Sequence, residues 1–211
     1  MRQDRQCNTI WRTISLVLMM VLFSPVDVPA NAAGSAEGYV GELAQQAIAL
    51  AQSNPEGRAA QVEQLLDRST DVPTVGRLVL GRHWALATPA QRDEYLKLFR
   101  GYVLAGVSRR LGAAQGIVKV DVTGSQPATN DDRMVATRIT LGNGAPPSQV
   151  EWRVRRAGDG YRIVDVVAEG VSLVLTKRNE FGTIVANSGV DGLLRQLREW
   201  RDQPGSRGPE A

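Results

Sequence analysis

After Gly116 the apolar residues of this 211-residue chain stop recurring every three or four positions and begin to alternate, and after Gly170 the longer spacing returns. Alternation sends successive side chains to opposite faces of a sheet, whereas the longer spacing builds one stripe along a helix. The order is therefore helices, then consecutive strands, then helices. Ile117, Val118, Val120 and Val122 open the alternating region. Met134, Val135, Thr137, Ile139 and Leu141 follow, then Val150, Trp152 and Val154, then Tyr161, Ile163, Val164, Val166 and Val167. Gly-, Pro-, Asn- and Asp-rich stretches at 124–132, 142–147 and 157–160 separate these runs, and the last is short enough for a hairpin. In the third run Glu151, Arg153 and Arg155 point outward and Val150, Trp152 and Val154 inward, so one face is wet and the other covered. The prediction is an α+β fold: a curved antiparallel sheet of about four strands packed against a layer of helices.

The helical part spans 37–112. Val40, Leu43, Ala44, Ala47, Ile48 and Ala51 form one stripe ending at Asn54-Pro55, and Val62, Leu65 and Leu66 form another within Arg58–Arg68. Asp71 is placed to cap the segment that carries Val75, Leu78, Val79 and Trp84. Thr88-Pro89-Ala90-Gln91 reads as a capping box, with Pro at the first helical position. The helix it opens runs through Tyr95, Leu98, Phe99, Tyr102, Val103 and Val107 to Leu111, where Gly112 stops it. The sheet is expected over 117–167 and further helices over 171–201, broken at Gly189, with 202–211 a disordered tail.

Arg2, Arg5 and Arg12 precede the apolar run Ile14–Phe23, and Pro25, Pro29 and the small-residue site Ala30-Asn31-Ala32 follow. That is the layout of a secretory signal peptide over 1–32, cleaved after Ala32. The apolar run is too short for the roughly 20 residues that span a bilayer. Cys7 would leave with it, so the exported domain, 33–201, has no disulfide and is held by its core alone.

Composition narrows the chemistry. One His and one Cys exclude a His/Cys metal cage and leave little for a His-based triad, so no metal and no cofactor is expected. A formal charge of +3 on an exported chain gives no reason to expect nucleic acid. Gly170-Val171-Ser172-Leu173-Val174 begins like a nucleophile elbow but lacks its second Gly and a following His. His83 reads as a packing or capping residue, and Asp131-Asp132 as a turn. Asp165, in an otherwise apolar strand, reads as an ion-pair partner or a cap for the helix after Gly170. An exported hydrolase using Asp165 or Ser172 is the rival reading. Arg153, Arg155, Arg156 and Arg162 cluster at one hairpin and read as a solvated sheet face or a patch for an acidic partner or anionic membrane. The remaining apolar and aromatic residues fit a filled core or a dry cavity equally, and periodicity leaves both open.

Val79-Leu80-Gly81-Arg82-His83-Trp84, Ala87-Thr88-Pro89-Ala90-Gln91-Arg92 and Tyr95-Leu96-Lys97-Leu98-Phe99 resemble the MlaC-type toluene-tolerance family of periplasmic lipid carriers. Tyr161 through Leu173 is similar to that family's strand-to-helix junction, and Arg178-Asn179-Glu180-Phe181 to its Arg-x-x-Phe helix. The chain departs from the family at His83 and Lys177, where Tyr is common, and at Tyr161, where Trp is common. The resemblance implies a non-enzymatic periplasmic carrier that holds phospholipid acyl chains in an apolar pocket between sheet and helices. Candidate lining residues are Trp84, Leu98, Phe99, Tyr102, Val103, Val135, Trp152, Val154, Ile163 and Val166. It also implies partners: an inner-membrane lipid-binding ring with an ABC transporter, and an outer-membrane lipoprotein complex. A hopanoid-related carrier of the same fold is the alternative. Asp165 and Arg178 are expected to be structural.

Overall fold

Ser35 starts the first helix by accepting a hydrogen bond from the Gly38 amide at 3.0 Å, which satisfies one of the amide donors a helix start leaves free. The computed structural model describes residues 34–54, 56–113 and 116–202. The expected signal segment 1–32 lies outside the described residues, as do 203–211. Asp202, expected to begin the tail, is the last residue of a helix.

The helices are α1 (Ala36–Gln52), α2 (Arg58–Ser69), α3 (Val72–Leu80), the one-turn α4 (His83–Leu86) and α5 (Pro89–Ala113). Asp71 caps α3 through the Thr74 amide. The capping box at α5 closes in both directions: the Gln91 amide donates to Thr88 Oγ1 at 3.3 Å and the Thr88 amide to Gln91 Oε1 at 2.9 Å. The strands follow as β1 (Ile117–Pro127), β2 (Asp132–Leu141), β3 (Ser148–Ala157), β4 (Gly160–Ala168) and β5 (Val171–Ser172), and the chain returns to helix in α6 (Leu173–Asp202). Gly189, with φ 70°, kinks α6 where the apolar period breaks. No helix of the described residues is long and apolar enough to cross a membrane.

The sheet is an antiparallel meander in the order β1-β2-β3-β4-β5. It has five strands rather than about four. Val171 and Ser172, read above as the first residues of the helical return, pair with Ala168 and Val167 instead. The turn at Glu169-Gly170, where both residues have positive φ, folds two residues back on β4 before the helix begins. Register shifts at 117/119 and 122/124 in β1 and at 153/154 in the β3–β4 pair mark bulges, which bend and twist a sheet locally.

Two apolar clusters hold the molecule. One joins α3, α5 and α6 around Tyr95, Phe99 and Phe181. The other packs α1 and α2 on the sheet around Val40, Val62, Val135, Val154 and Ile163. The α2–α3 junction is strapped to the sheet, because Thr70 bridges Ile163 and the Asp71 amide donates to the Ile163 carbonyl at 3.1 Å. Arg178 was expected to be structural and is: its Nε donates to the Leu78 carbonyl at 2.8 Å. It lies against Gly81, which has φ 56° and where a Cβ would meet Arg178 Nε at 3.1 Å. Backbone angle and side-chain contact both select glycine there.

Candidate functional site

The sheet carries its own account of a site in the register of β2, β3 and β4. Residues directly opposite share a face, so Arg133, Val154 and Ile163 form one cross-strand row and Val135, Trp152 and Val166 the next. Val122, Thr137, Val150 and Ala168 form a third, and Val120, Ile139 and Ser148 a fourth. Val154 and Val135 are fully enclosed and Thr137 is buried, whereas Trp152 and Val166 are half-buried, and so are Val120, Val122, Ile139 and Val150. The helices α1 and α2 thus cover one end of the inner face and leave an apolar strip partly open at the other.

Four residue steps of β3 run from half-buried Trp152 to Ser148, about 13 Å at the rise of a strand. The covered end is closed by polar groups: Ser125 Oγ donates to Glu37, and Arg133 lies 3.9 Å from the same carboxylate. The Ser125 hydrogen bond is the main cause that holds the Glu37 carboxyl below the usual carboxylate range. Trp152 is adapted to an apolar setting, because its single donor is spent within the sheet. Its Nε1 donates to Thr137 Oγ1 at 3.0 Å, and that hydroxyl donates to the Val150 carbonyl at 2.8 Å. The ring is left to present carbon only.

The helix α5 adjoins both apolar clusters. Its first half is fixed by charge: Arg100 pairs with Glu63 at 2.8 Å and Asp67 at 2.7 Å, and Glu94 with Arg198 at 2.5 Å. Beyond Arg100 its contacts turn apolar, and Leu104 and Val107 pack against both clusters. These two side chains link the two clusters.

The ten candidate lining residues therefore do not form a single group. Leu98 and Phe99 are buried in the helical cluster, with Trp84, Tyr102 and Val103 at its margin. Val135, Val154 and Ile163 are buried under α1 and α2, with Trp152 and Val166 on the strip. Leu104, Val107 and Val122 were not among the candidates. The spacing of Leu104, Val107 and Leu111 along α5 is a signal that could have found the first two, since it marks a second face beside the one led by Tyr95 and Phe99. Lys177, only 12% exposed, pairs with Glu180 at 2.9 Å and stands 5.9 Å from the Tyr102 ring centre.

Residues 40–199 match the family model described as MlaC protein. The chain belongs to the MlaC family. A solved structure of a phospholipid-binding protein from Ralstonia solanacearum, in complex with a phospholipid, superimposes with a TM-score of 0.70. It is 23% identical, and the match covers 82% of this chain and 99% of that one. This likeness shows that the MlaC-family chain shares its fold.

Asp165 and Ser172, the candidates for a hydrolytic site, are engaged in capping. Asp165 Oδ1 accepts from the amides of Val166 at 2.8 Å and Val174 at 3.0 Å. Ser172 Oγ donates to Asp165 Oδ2 at 2.5 Å and accepts from the Leu175 amide at 3.0 Å. The expected helix-capping role of Asp165 is what the geometry shows. Ser172→Ala should cost about 1 kcal/mol of stability, read from the denaturant midpoint, and leave any ligand uptake unchanged. Loss of a measurable turnover in that variant would instead establish a catalytic serine. His83 lies in α4 with Nδ1 buried and without a partner among the described residues. Among the described residues no three His, Cys, Asp or Glu side chains gather where they could hold a metal.

The arginine cluster is less exposed than expected. Arg153 and Arg155 are not simply solvated, because Asp132, fully buried, pairs with both at 2.7 and 2.6 Å. Asp132 is likewise more than a turn residue: it is the first residue of β2 and the anchor of those two side chains.

Proposed function

We propose that this protein is a non-enzymatic periplasmic phospholipid carrier, exported by residues 1–32, that shuttles lipid between outer- and inner-membrane complexes. The single observation that carries this reading is the half-covered apolar strip on the inner sheet face, formed by Trp152, Val166, Val122, Val150, Val120 and Ile139. Its length of about 13 Å from Trp152 to Ser148 is comparable to the roughly 15 Å of hydrocarbon in one bilayer leaflet, half of the ~30 Å core. A tail laid along it, with the headgroup at the open end, replaces water on both partners. Burying acyl CH₂ groups is worth about 0.8 kcal/mol each, on the order of 10 kcal/mol for one long chain.

Of the candidate residues, Trp152 and Val166 line this space most directly, and Val135, Val154 and Ile163 close its covered end. The phospholipid held by the Ralstonia protein supports the same ligand class here. Because spontaneous release of a buried tail is slow, handover needs partners that open or compete for the strip. Family membership supports an inner-membrane lipid-binding ring with its ABC transporter and an outer-membrane lipoprotein complex in that role.

Native mass spectrometry of the purified protein, followed by lipid extraction, tests the proposal. Phospholipid should co-purify or be taken up from vesicles. Val166→Glu, which sets a carboxylate against the tail, should lower retention at least about tenfold while the fold persists by circular dichroism. Protein that is lipid-free and takes up none from vesicles overturns the reading.

A further inference from the structure

Leu86 is the most exposed large apolar side chain among the described residues, at 73%. It ends α4, and its surroundings are cationic. Arg77 and Arg92 each place a guanidinium carbon 5.3 Å from the centre of the Trp84 ring. Arg92 also donates to the carbonyls of Trp84 at 2.9 Å and Ala85 at 3.3 Å, so it is fixed beside Leu86. Arg82 immediately precedes α4, and Arg178 reaches the adjoining turn through the Leu78 carbonyl and Gly81. None of Arg77, Arg82, Arg92 and Arg178 forms an ion pair among the described residues. The carboxylates beside Arg92 are Asp93 and Asp191, which accepts from Gln91 at 2.7 Å, while Glu94 is paired with Arg198.

Arg100, Arg153 and Arg155 are matched to carboxylates, whereas these four arginines lie on or beside the turn that carries an exposed apolar tip. We propose that this patch is a docking face for a lipid membrane bearing anionic headgroups. A bilayer surface offers phosphates and other anions above an apolar layer in one place, and this fits four arginines on and beside the turn that carries an exposed leucine and a half-buried indole. An acidic protein would satisfy the arginines, but Leu86 protrudes and would need a matching recess. The inference is independent of the lipid-carrying strip, since docking requires only surface side chains.

Vesicle flotation tests it, using phosphatidylcholine alone and phosphatidylcholine mixed with phosphatidylglycerol. Binding should need the anionic lipid and weaken at high salt, where the screening length falls to about 3 Å. Arg82→Gln should reduce partitioning about fivefold, the effect of roughly one surface arginine, and Leu86→Ser should also reduce it. Arg138→Gln, on the outer sheet face, should leave it unchanged. Lipid retention by native mass spectrometry should be the same in all three variants, which keeps failure of the docking face distinct from failure of the carrier reading. No flotation with anionic vesicles, or flotation unaffected by Arg82→Gln and Leu86→Ser, overturns the proposal. Binding of polyglutamate that these variants weaken, without vesicle binding, assigns the patch to an acidic protein and overturns it too.

Discussion

Phe181→Ala should lower the unfolding free energy by about 3–5 kcal/mol, the largest loss expected from any single apolar truncation in the helical layer. Phe181 is completely buried. Its ring centre lies 5.8 Å from that of Tyr102, 6.3 Å from those of Phe99 and Trp200, and 6.5 Å from that of Tyr95. Three of those four pairs meet edge to face, an arrangement that adds to simple burial. Tyr95 shows how dry this cluster is: its hydroxyl donates to the Gly76 carbonyl at 3.0 Å, and burial pushes its phenol well above the usual range. Removing one ring leaves a void that such neighbours fill poorly. A urea titration gives the measurement. A loss under roughly 1 kcal/mol, typical of a tolerant site, would mean that the helical layer is loosely packed and that the hydrocarbon-binding space lies there instead of over the sheet.

That outcome bears on how far the site could be read from residues alone. Phe99 and Trp152 are both large aromatics on apolar faces, and nothing in their spacing distinguishes them. The fold does. Phe99 is enclosed within the helical cluster, whereas Trp152 stays half-buried on the sheet. Coverage of a sheet face depends on where α1 and α2 end and on how α5 is tethered at Arg100, and both are tertiary properties. The order of elements was legible because it rests on local signals: the capping box at Thr88, the hairpin at Ala157–Gly160 and the change of period at Gly116. The short β5 was not, since Val171 and Ser172 suit the start of a helix as well as a strand, and the turn at Glu169-Gly170 decides between them.

Asp132 was missed for a related reason. Beside Asp131, in a stretch rich in turn residues, it looks solvated, yet pairing of β2 with β3 sets it opposite Arg155 and one step from Arg153. The same register turns two apparently free arginines into partners of one enclosed carboxylate. Charges two residues apart on a strand share a face, but which acidic group faces them is settled only by the register.

The consequence of that arrangement is an asymmetry that can be measured. Asp132→Ala should cost about 2–3 kcal/mol, the scale of hydrogen bonds to charged groups. The two arginines left behind have side chains 33% and 38% exposed and can rehydrate. Replacing both arginines by leucine should cost more, about 3–5 kcal/mol, because the carboxylate is then stranded without access to water. In the wild type the hydrogen bond from Arg155 is the main cause that holds the Asp132 carboxyl below the ordinary carboxylate value, while burial opposes it. A carboxyl with a depressed folded-state pKa contributes stability that is complete above its unfolded value, about 3.9, and is lost as pH falls toward the folded value. Stability of the wild type should therefore drop more steeply below about pH 4 than that of Asp132→Asn, which carries no titrating group there. Denaturant midpoints measured across the acid range for the three variants give the comparison. Equal acid slopes in wild type and Asp132→Asn, or a double arginine variant more stable than Asp132→Ala, would show that this carboxylate is hydrated and that the β2–β3 end is held by its backbone ladder alone.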